Sequence, residues 1–123
     1  MLEARVVHPN ERIAQAWLDA FNAHDVDALV ALYADDGTHT SPKIRALFPH
    51  TGGKLVGKAA LKAWWVDSNT RLPGLRYEKT AVTANDERVF LEYVRHAPDG
   101  ASLVAEVFDV KGGHIVASRV YHG

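Results

Sequence analysis

The sequence contains no cysteine, and only one methionine and five prolines occur among its 123 residues. The absence of cysteine excludes disulfide bonds, cysteine-ligated zinc sites and thiol nucleophiles. No apolar run approaches the roughly 18 residues that a membrane-spanning helix needs. Residues 1–5 also lack the apolar core of a signal peptide. We therefore expect a cytoplasmic protein without a membrane partner.

An excess of charge of one sign is also absent. Fourteen Lys and Arg residues face fifteen Asp and Glu residues, which gives a formal net charge of -1. Because no segment is densely basic, we expect no nucleic-acid partner. The sequence has no H-E-x-x-H, P-loop or G-x-S-x-G motif. We expect no metal and no cofactor, and the one metal site left open by the seven histidines combines His39, His122 and Glu106.

Length and hydrophobic content predict one domain over residues 1–123, since 47% hydrophobic residues can fill one core but not two. Apolar spacing predicts a first helix capped by Asn10 and a second capped by Asp25, with Tyr33 on the buried stripe of the second. A short strand is predicted over residues 38–41. Residues 43–56 have no clear period and are predicted as a long loop, which is often a functional lid.

The second half of the chain begins with a predicted helix over residues 57–69, and the remainder has the composition of strands. Short Gly- and Asn-containing turns separate the strands, as in an antiparallel meander. The predicted strands are 75–84, 88–96, 102–111 and 114–122. The element order ααβαββββ predicts an α+β domain with helices on one face of a curved sheet.

Three segments carry a resemblance to a known family. They are the helical pair from Trp17 to Asp36, the helix start at residues 57–61, and the hairpin at residues 106–116. Their order resembles the nuclear-transport-factor-2-like superfamily, which includes the ketosteroid isomerases and the SnoaL-like polyketide cyclases. The resemblance implies a cone-shaped roll in which a mostly antiparallel sheet wraps around three N-terminal-half helices. It also implies a deep cavity for a small hydrophobic molecule, no cofactor, and a homodimer formed through the outer sheet face.

Glu106 is the first candidate catalytic residue, because it lies among apolar residues on a predicted strand. Burial in an apolar pocket raises the pKa of a carboxyl group and suits it to general acid–base catalysis. In the isomerases that the chain resembles, the matching position carries an acidic group that stabilises an oxyanion. The structural alternative is that Glu106 forms an ion pair with Arg95 or is solvated at a sheet edge. A separate functional role for Arg95 is to hold an anionic substrate group.

His39 is the second candidate catalytic residue. The resemblance places Ser41 where the isomerases carry their proton-shuttling carboxylate, and a serine cannot replace that base. His39 lies on the same predicted strand face, so it is the alternative proton carrier. A structural role in the core is the competing interpretation of this histidine.

Strand alternation and the resemblance together predict which other side chains reach the cavity. Trp17 and Trp65 approach from helices, where aromatic residues are more often core than ligand contacts. The predicted substrate-binding residues are Trp17, Ser41, Trp65, Tyr93, Arg95, Phe108, Ser118 and His122.

These residues predict a cofactor-independent isomerase, cyclase or lyase that transfers protons on a hydrophobic carbonyl compound. The alternative is a non-catalytic ligand-binding or dimerisation module of the same fold. An epoxide hydrolase is a distant third, because Tyr93-Val94-Arg95 lacks the Arg-x-Asp pair of that class.

Overall fold

The computed structural model describes residues 7–123, so the first five residues, discussed above for a signal peptide, lie outside the described part. Within residues 7–123 no helix is both long and apolar enough to cross a membrane. Helices α1 to α4 span Glu11–Asn22, Val26–Ala31, Pro42–Leu47 and Lys58–Arg71. Strands β1 to β6 span Tyr33–Thr40, Lys54–Val56, Arg76–Ala84, Arg88–Ala97, Gly100–Lys111 and His114–His122.

The starts of α1 and α2 differ in how they are capped. Asp25 caps α2 as predicted, since its side chain accepts a hydrogen bond of 3.0 Å from the backbone N–H of Ala28. The prediction that Asn10 caps α1 is wrong, because its side chain makes no capping hydrogen bond. The Asn10 amide instead donates to the backbone oxygen of Asn85 at 2.8 Å. This bond ties the start of α1 to the turn between β3 and β4.

Residues 43–56 are not the long loop that the sequence predicts. The Ser41 hydroxyl accepts a hydrogen bond from the backbone N–H of Lys43, and Pro42 occupies the first helical position, so helix α3 begins here. A short 3-10 turn at Pro49–Thr51 connects α3 to β2. The observed order is therefore ααβαβαββββ, with four helices and six strands in the described residues.

The segment is also attached to the core. Ile44 of α3 is fully buried and so anchors the helix in the core. The first strand is longer than predicted, because α2 ends at Ala31 and β1 already begins at Tyr33. Tyr33 therefore enters the core from a strand and not from the stripe of α2.

The six strands form one curved sheet in the order β2-β1-β6-β5-β4-β3. Strands β3 to β6 form the predicted antiparallel meander, and their bounds agree closely with the predicted ones. Strand β1 pairs in parallel with β6, and the pairing shifts register between Tyr33 and Thr38. The α+β cone with a mostly antiparallel sheet is thus confirmed.

The core lies between the inner face of the sheet and helices α1, α2 and α4. Aromatic rings fill much of it, with Phe21 stacked on Tyr77 at 3.9 Å and Tyr77 stacked on Tyr93 at 4.2 Å between ring centroids. Trp17 packs against the same group, 5.3 Å from the ring of Phe108. Because bulky rings bury a large apolar area, this group holds α1 against the sheet.

Candidate functional site

A narrow pocket with a volume of about 80 Å³ lies between the inner sheet face and helices α1, α3 and α4. Six of the predicted site residues line it together. They are Trp17, His39, Ser41, Trp65, Glu106 and His122. Tyr93, Arg95, Phe108 and Ser118 are buried around the pocket but do not line it.

Glu106 lies at the centre of β5, between Leu91 of β4 and Val120 of β6. Its side chain is only 1% exposed. The Oε1 atom accepts a hydrogen bond of 2.9 Å from the Tyr93 hydroxyl, whereas Oε2 is buried without a hydrogen-bond partner in the described residues. A buried polar atom without a partner is costly and rare, so Oε2 has hydrogen-bonding capacity that the described residues do not use.

Arg95 is not the partner of Glu106. The Arg95 guanidinium faces the turn after β4, where Nη1 lies 3.5 Å from the Asp99 carboxylate. Without an adjacent cation, burial raises the pKa of Glu106 to about 8, and the hydrogen bond from Tyr93 only partly opposes this. Most Glu106 side chains are therefore protonated at neutral pH.

His39 of β1 is buried beside Glu106, with Nδ1 3.8 Å from the free Oε2. The same Nδ1 lies 2.7 Å from the Ser118 hydroxyl, which is too short a contact to be anything but a hydrogen bond. Burial lowers the pKa of His39 to about 3, so the ring is neutral at physiological pH. The side chain also packs against Trp65, with ring centroids 5.1 Å apart.

Buried hydrogen bonds connect Trp17 to His39. The Trp17 indole can only donate, and it donates to the Tyr33 hydroxyl at 3.3 Å. The Tyr33 hydroxyl lies 2.7 Å from that of Ser118, which lies 2.7 Å from Nδ1 of His39. The Ser118 hydroxyl also donates to the backbone oxygen of Thr38 at 3.4 Å. When Ser118 donates to Nδ1, the proton of the neutral His39 ring lies on Nε2.

Two tyrosines lie near Glu106. The Tyr93 hydroxyl donates to Oε1 of Glu106, and Tyr77 lines the pocket. Burial raises the pKa of both hydroxyl groups, and the negative charge of an ionised Glu106 raises them further. Both tyrosines therefore remain neutral hydrogen-bonding groups.

The mouth of the pocket carries basic side chains that the sequence analysis did not select. Lys43 at the start of α3 and Arg71 at the end of α4 line the opening together with His122. Arg71 forms an ion pair with Asp67 at 2.7 Å on the same helix. Lys43 was assigned to a loop and Arg71 fell beyond the predicted end of its helix, so no sequence pattern placed them together. Tyr77 was accessible to prediction, because strand alternation in β3 would have selected it.

The metal alternative is not supported within residues 7–123. No group of three or more His, Asp and Glu side chains is arranged to hold a metal ion in this part of the chain. His39 and Glu106 are close together, but His122 does not complete a ligand set with them.

Comparisons with known proteins place this chain in a family. The model of the SnoaL-like domain matches residues 14–118, and the chain therefore belongs to the SnoaL-like family. A comparison with curated proteins finds no match. The fold is thus the one that the sequence resemblance implied.

Three solved structures illustrate the similarity. A SnoaL-like protein of unknown function from Burkholderia thailandensis is 28% identical, with a TM-score of 0.83 over 96% of this chain and 99% of that one. A proposed polyketide cyclase from Sinorhizobium meliloti is 20% identical, with a TM-score of 0.76 over 89% of this chain and 94% of that one. A protein with a ketosteroid isomerase-like fold from Catenulispora acidiphila, bound to trimethylamine, is 21% identical. Its TM-score is 0.74 over 94% of this chain and 86% of that one.

Proposed function

We propose that the pocket is the active site of an acid–base enzyme of the isomerase, cyclase or lyase type. The enzyme would act without a cofactor on a small hydrophobic carbonyl compound. The observation that supports this function is the buried carboxyl group of Glu106, which lines the pocket and whose Oε2 has no hydrogen-bond partner in the described residues. A carboxyl group with a pKa near 8 is well matched to proton transfer at physiological pH.

In the proposed step the ionised Glu106 removes a proton from the carbon next to a carbonyl group. The electron pair of the broken C–H bond moves into the carbonyl, which becomes an enolate oxygen. Glu106, now protonated, returns its proton to another carbon or to an oxygen of the same molecule. One carboxyl group therefore both removes and returns the proton, and no redox partner is needed.

His39 contributes a hydrogen bond to the enolate oxygen in this proposal. Its lowered pKa makes it a poor proton carrier at neutral pH, which favours a donor role over the base role predicted from sequence. A neutral imidazole with its proton on Nε2 can stabilise developing negative charge without releasing that proton. Ser41 adds no second base, because its hydroxyl caps α3.

The direct test is exchange of the α-protons of cyclohexanone in D₂O, followed by NMR. We expect the rate to rise with pH and to level off above about pH 8, because the ionised form of Glu106 is the base. Glu106→Gln should lower the rate by about 10²- to 10⁴-fold, the usual contribution of a general acid or base. The matched control is Glu87→Gln in an exposed turn, which should leave the rate unchanged. Unchanged exchange in a folded Glu106→Gln protein would contradict the assignment.

A binding module without catalysis is the second candidate function. The lack of a second base at Ser41, whose hydroxyl caps α3, favours it. If this function is correct, the wild-type protein binds carbonyl compounds, catalyses no exchange, and keeps its affinity in Glu106→Gln.

A further inference from the structure

We propose that the mouth of the pocket is an anion-binding subsite, and that the natural ligand is a small cyclic or aromatic carboxylate. The ligand is also expected to carry a carbonyl oxygen at the end opposite its carboxylate, and this part of the inference rests on the proposed function. The subsite is formed by Lys43, Arg71 and His122, with Arg95 adjacent to them.

Lys43 is the first element of this subsite. It lines the pocket, and no ion pair joins it to a carboxylate of residues 7–123. Burial and the neighbouring charge of Arg95 lower the pKa of Lys43, the charge of Asp99 raises it, and Arg71 lowers it further. Like charges held close together repel one another, and Asp99 offsets only part of this repulsion, so a bound carboxylate among them would offset more of it.

Arg95 is the second element. Its side chain is nine-tenths buried, and Nε has no hydrogen-bond partner in the described residues. The one carboxylate beside it, Asp99, is 81% exposed and lies 3.5 Å from Nη1, a geometry in which an ion pair contributes little. Arg95 does not line the pocket, so its buried charge would attract a bound carboxylate through space and not by direct hydrogen bonds.

Strand register places these cations at one end of the inner sheet face. His122 of β6 pairs with Val104 of β5, and Val104 in turn pairs with Tyr93 of β4. Arg95 follows two residues after Tyr93 on the same face, so it lies at the same end of the sheet as His122. Burial lowers the pKa of His122, and the charges of Lys43 and Arg95 lower it further, which is consistent with this placement.

The same register gives the distance between the subsite and the acid. Glu106 pairs with Val120, and His122 is two residues further along β6. Two residues of a strand span about 7 Å, which suits a ring with a carboxylate on one side and a carbonyl oxygen on the other. Trp17, Trp64 and Trp65 line the space between and offer apolar surfaces to such a ring.

The experiment compares two probes of the same shape, 4-acetylbenzoate and the neutral 4-acetylbenzamide, by isothermal titration calorimetry. We expect the carboxylate to bind at least about tenfold more tightly, a difference of roughly 1.4 kcal/mol. Lys43→Gln should reduce that preference about fivefold while leaving the amide affinity unchanged. The matched control is Lys62→Gln on α4, whose amino group pairs with Asp27 at 3.0 Å outside the pocket.

Three results would overturn the subsite: equal affinity for the two probes, an equal effect of Lys43→Gln and Lys62→Gln, or no binding of either probe up to about 10 mM. The acid–base proposal is decided separately by proton exchange in the Glu106→Gln variant. A carboxylate preference that persists in Glu106→Gln, together with no exchange in the wild type, would support the subsite and contradict the catalytic function.

Discussion

At the scale of single residues, Glu106 and His39 show how burial alone can create a reactive pair. Burial disfavours the charged form of both groups, so it raises the pKa of the acid to about 8 and lowers that of the base to about 3. Both are therefore neutral near pH 7, when an exposed pair would be charged or partly charged. Neither group needs a nearby charge to reach this state.

These opposite shifts predict a bell-shaped dependence of stability on pH. The folded pKa of Glu106 lies above its ordinary value of 4.5, so its contribution is lost as pH rises from about 4.5 to 8. The folded pKa of His39 lies below 6.5, so its contribution is lost as pH falls from about 6.5 to 3. We expect maximal stability between about pH 4.5 and 6.5, measured by chemical denaturation at each pH.

The alkaline side of this profile isolates Glu106. Between pH 6.5 and 8 the free energy of unfolding should fall by roughly 2 kcal/mol, from a slope near 1.36 kcal/mol per pH unit. Glu106→Gln should remove this fall, because glutamine does not titrate. Glu87→Gln, in an exposed turn, should retain it. A wild-type profile that is flat from pH 6.5 to 8 would show that the pKa of Glu106 is not raised.

At the scale of secondary-structure elements, β1 depends on Gly37, which lies where the pairing with β6 changes register. A Cβ at this position would lie 2.9 Å from the backbone oxygen of Ala34 and 3.2 Å from the Tyr33 side chain. We expect Gly37→Ala to lower the free energy of unfolding by about 1–3 kcal/mol, the usual cost of overpacking. Thermal denaturation measures the change.

The matched control for this prediction is Gly74→Ala. No heavy atom lies within 4 Å of a Cβ at Gly74, so its replacement should alter stability little. If both variants are equally stable, the backbone of β1 can shift enough to accept the methyl group.

The elements also show which parts of the fold sequence patterns are enough to predict. Strands β3 to β6 were predicted closely, because they are adjacent in sequence and short turns join them. Residues 43–56 were mispredicted, because neither the six-residue α3 nor the three-residue β2 is long enough to show a period. These elements are defined by tertiary contacts, including the burial of Ile44 and the pairing of β2 with β1.

The candidate site was predictable to a similar extent. Strand alternation and the family resemblance together placed His39 and Glu106 on one inner face, and the structure has them side by side. The partners of these groups were not predictable. Tyr93, and not Arg95, holds Glu106, and Ser118 holds His39 across 79 residues of sequence. Hydroxyl partners of this kind leave no spacing signal in a sequence.

At the scale of the whole molecule, the outer sheet face exposes large apolar side chains. Phe90, Leu103 and Tyr121 lie on three neighbouring strands and are each 44–55% exposed. Large exposed apolar side chains on one sheet face are a common feature of protein–protein interfaces. The sequence-based prediction of a homodimer through this face therefore stays a prediction, and the patch is where it would form.

Leu103→Arg tests that prediction by light scattering after size-exclusion chromatography. We expect a wild-type dimer and a monomeric variant, since an unpaired buried charge at an interface is strongly unfavourable. Val66→Arg is the control, because Val66 is 46% exposed on α4, away from this face. A wild-type protein that is already monomeric would contradict the prediction.

The side chains of the pocket come from almost the whole chain, from Trp17 near the N-terminus to His122 beside the C-terminus. No contiguous fragment shorter than residues 17–122 contains all of them. Loss of β6 alone would remove Val120, His122 and the hydroxyl that orients His39. A ligand that binds only the folded pocket would therefore stabilise residues 17–122 as one unit.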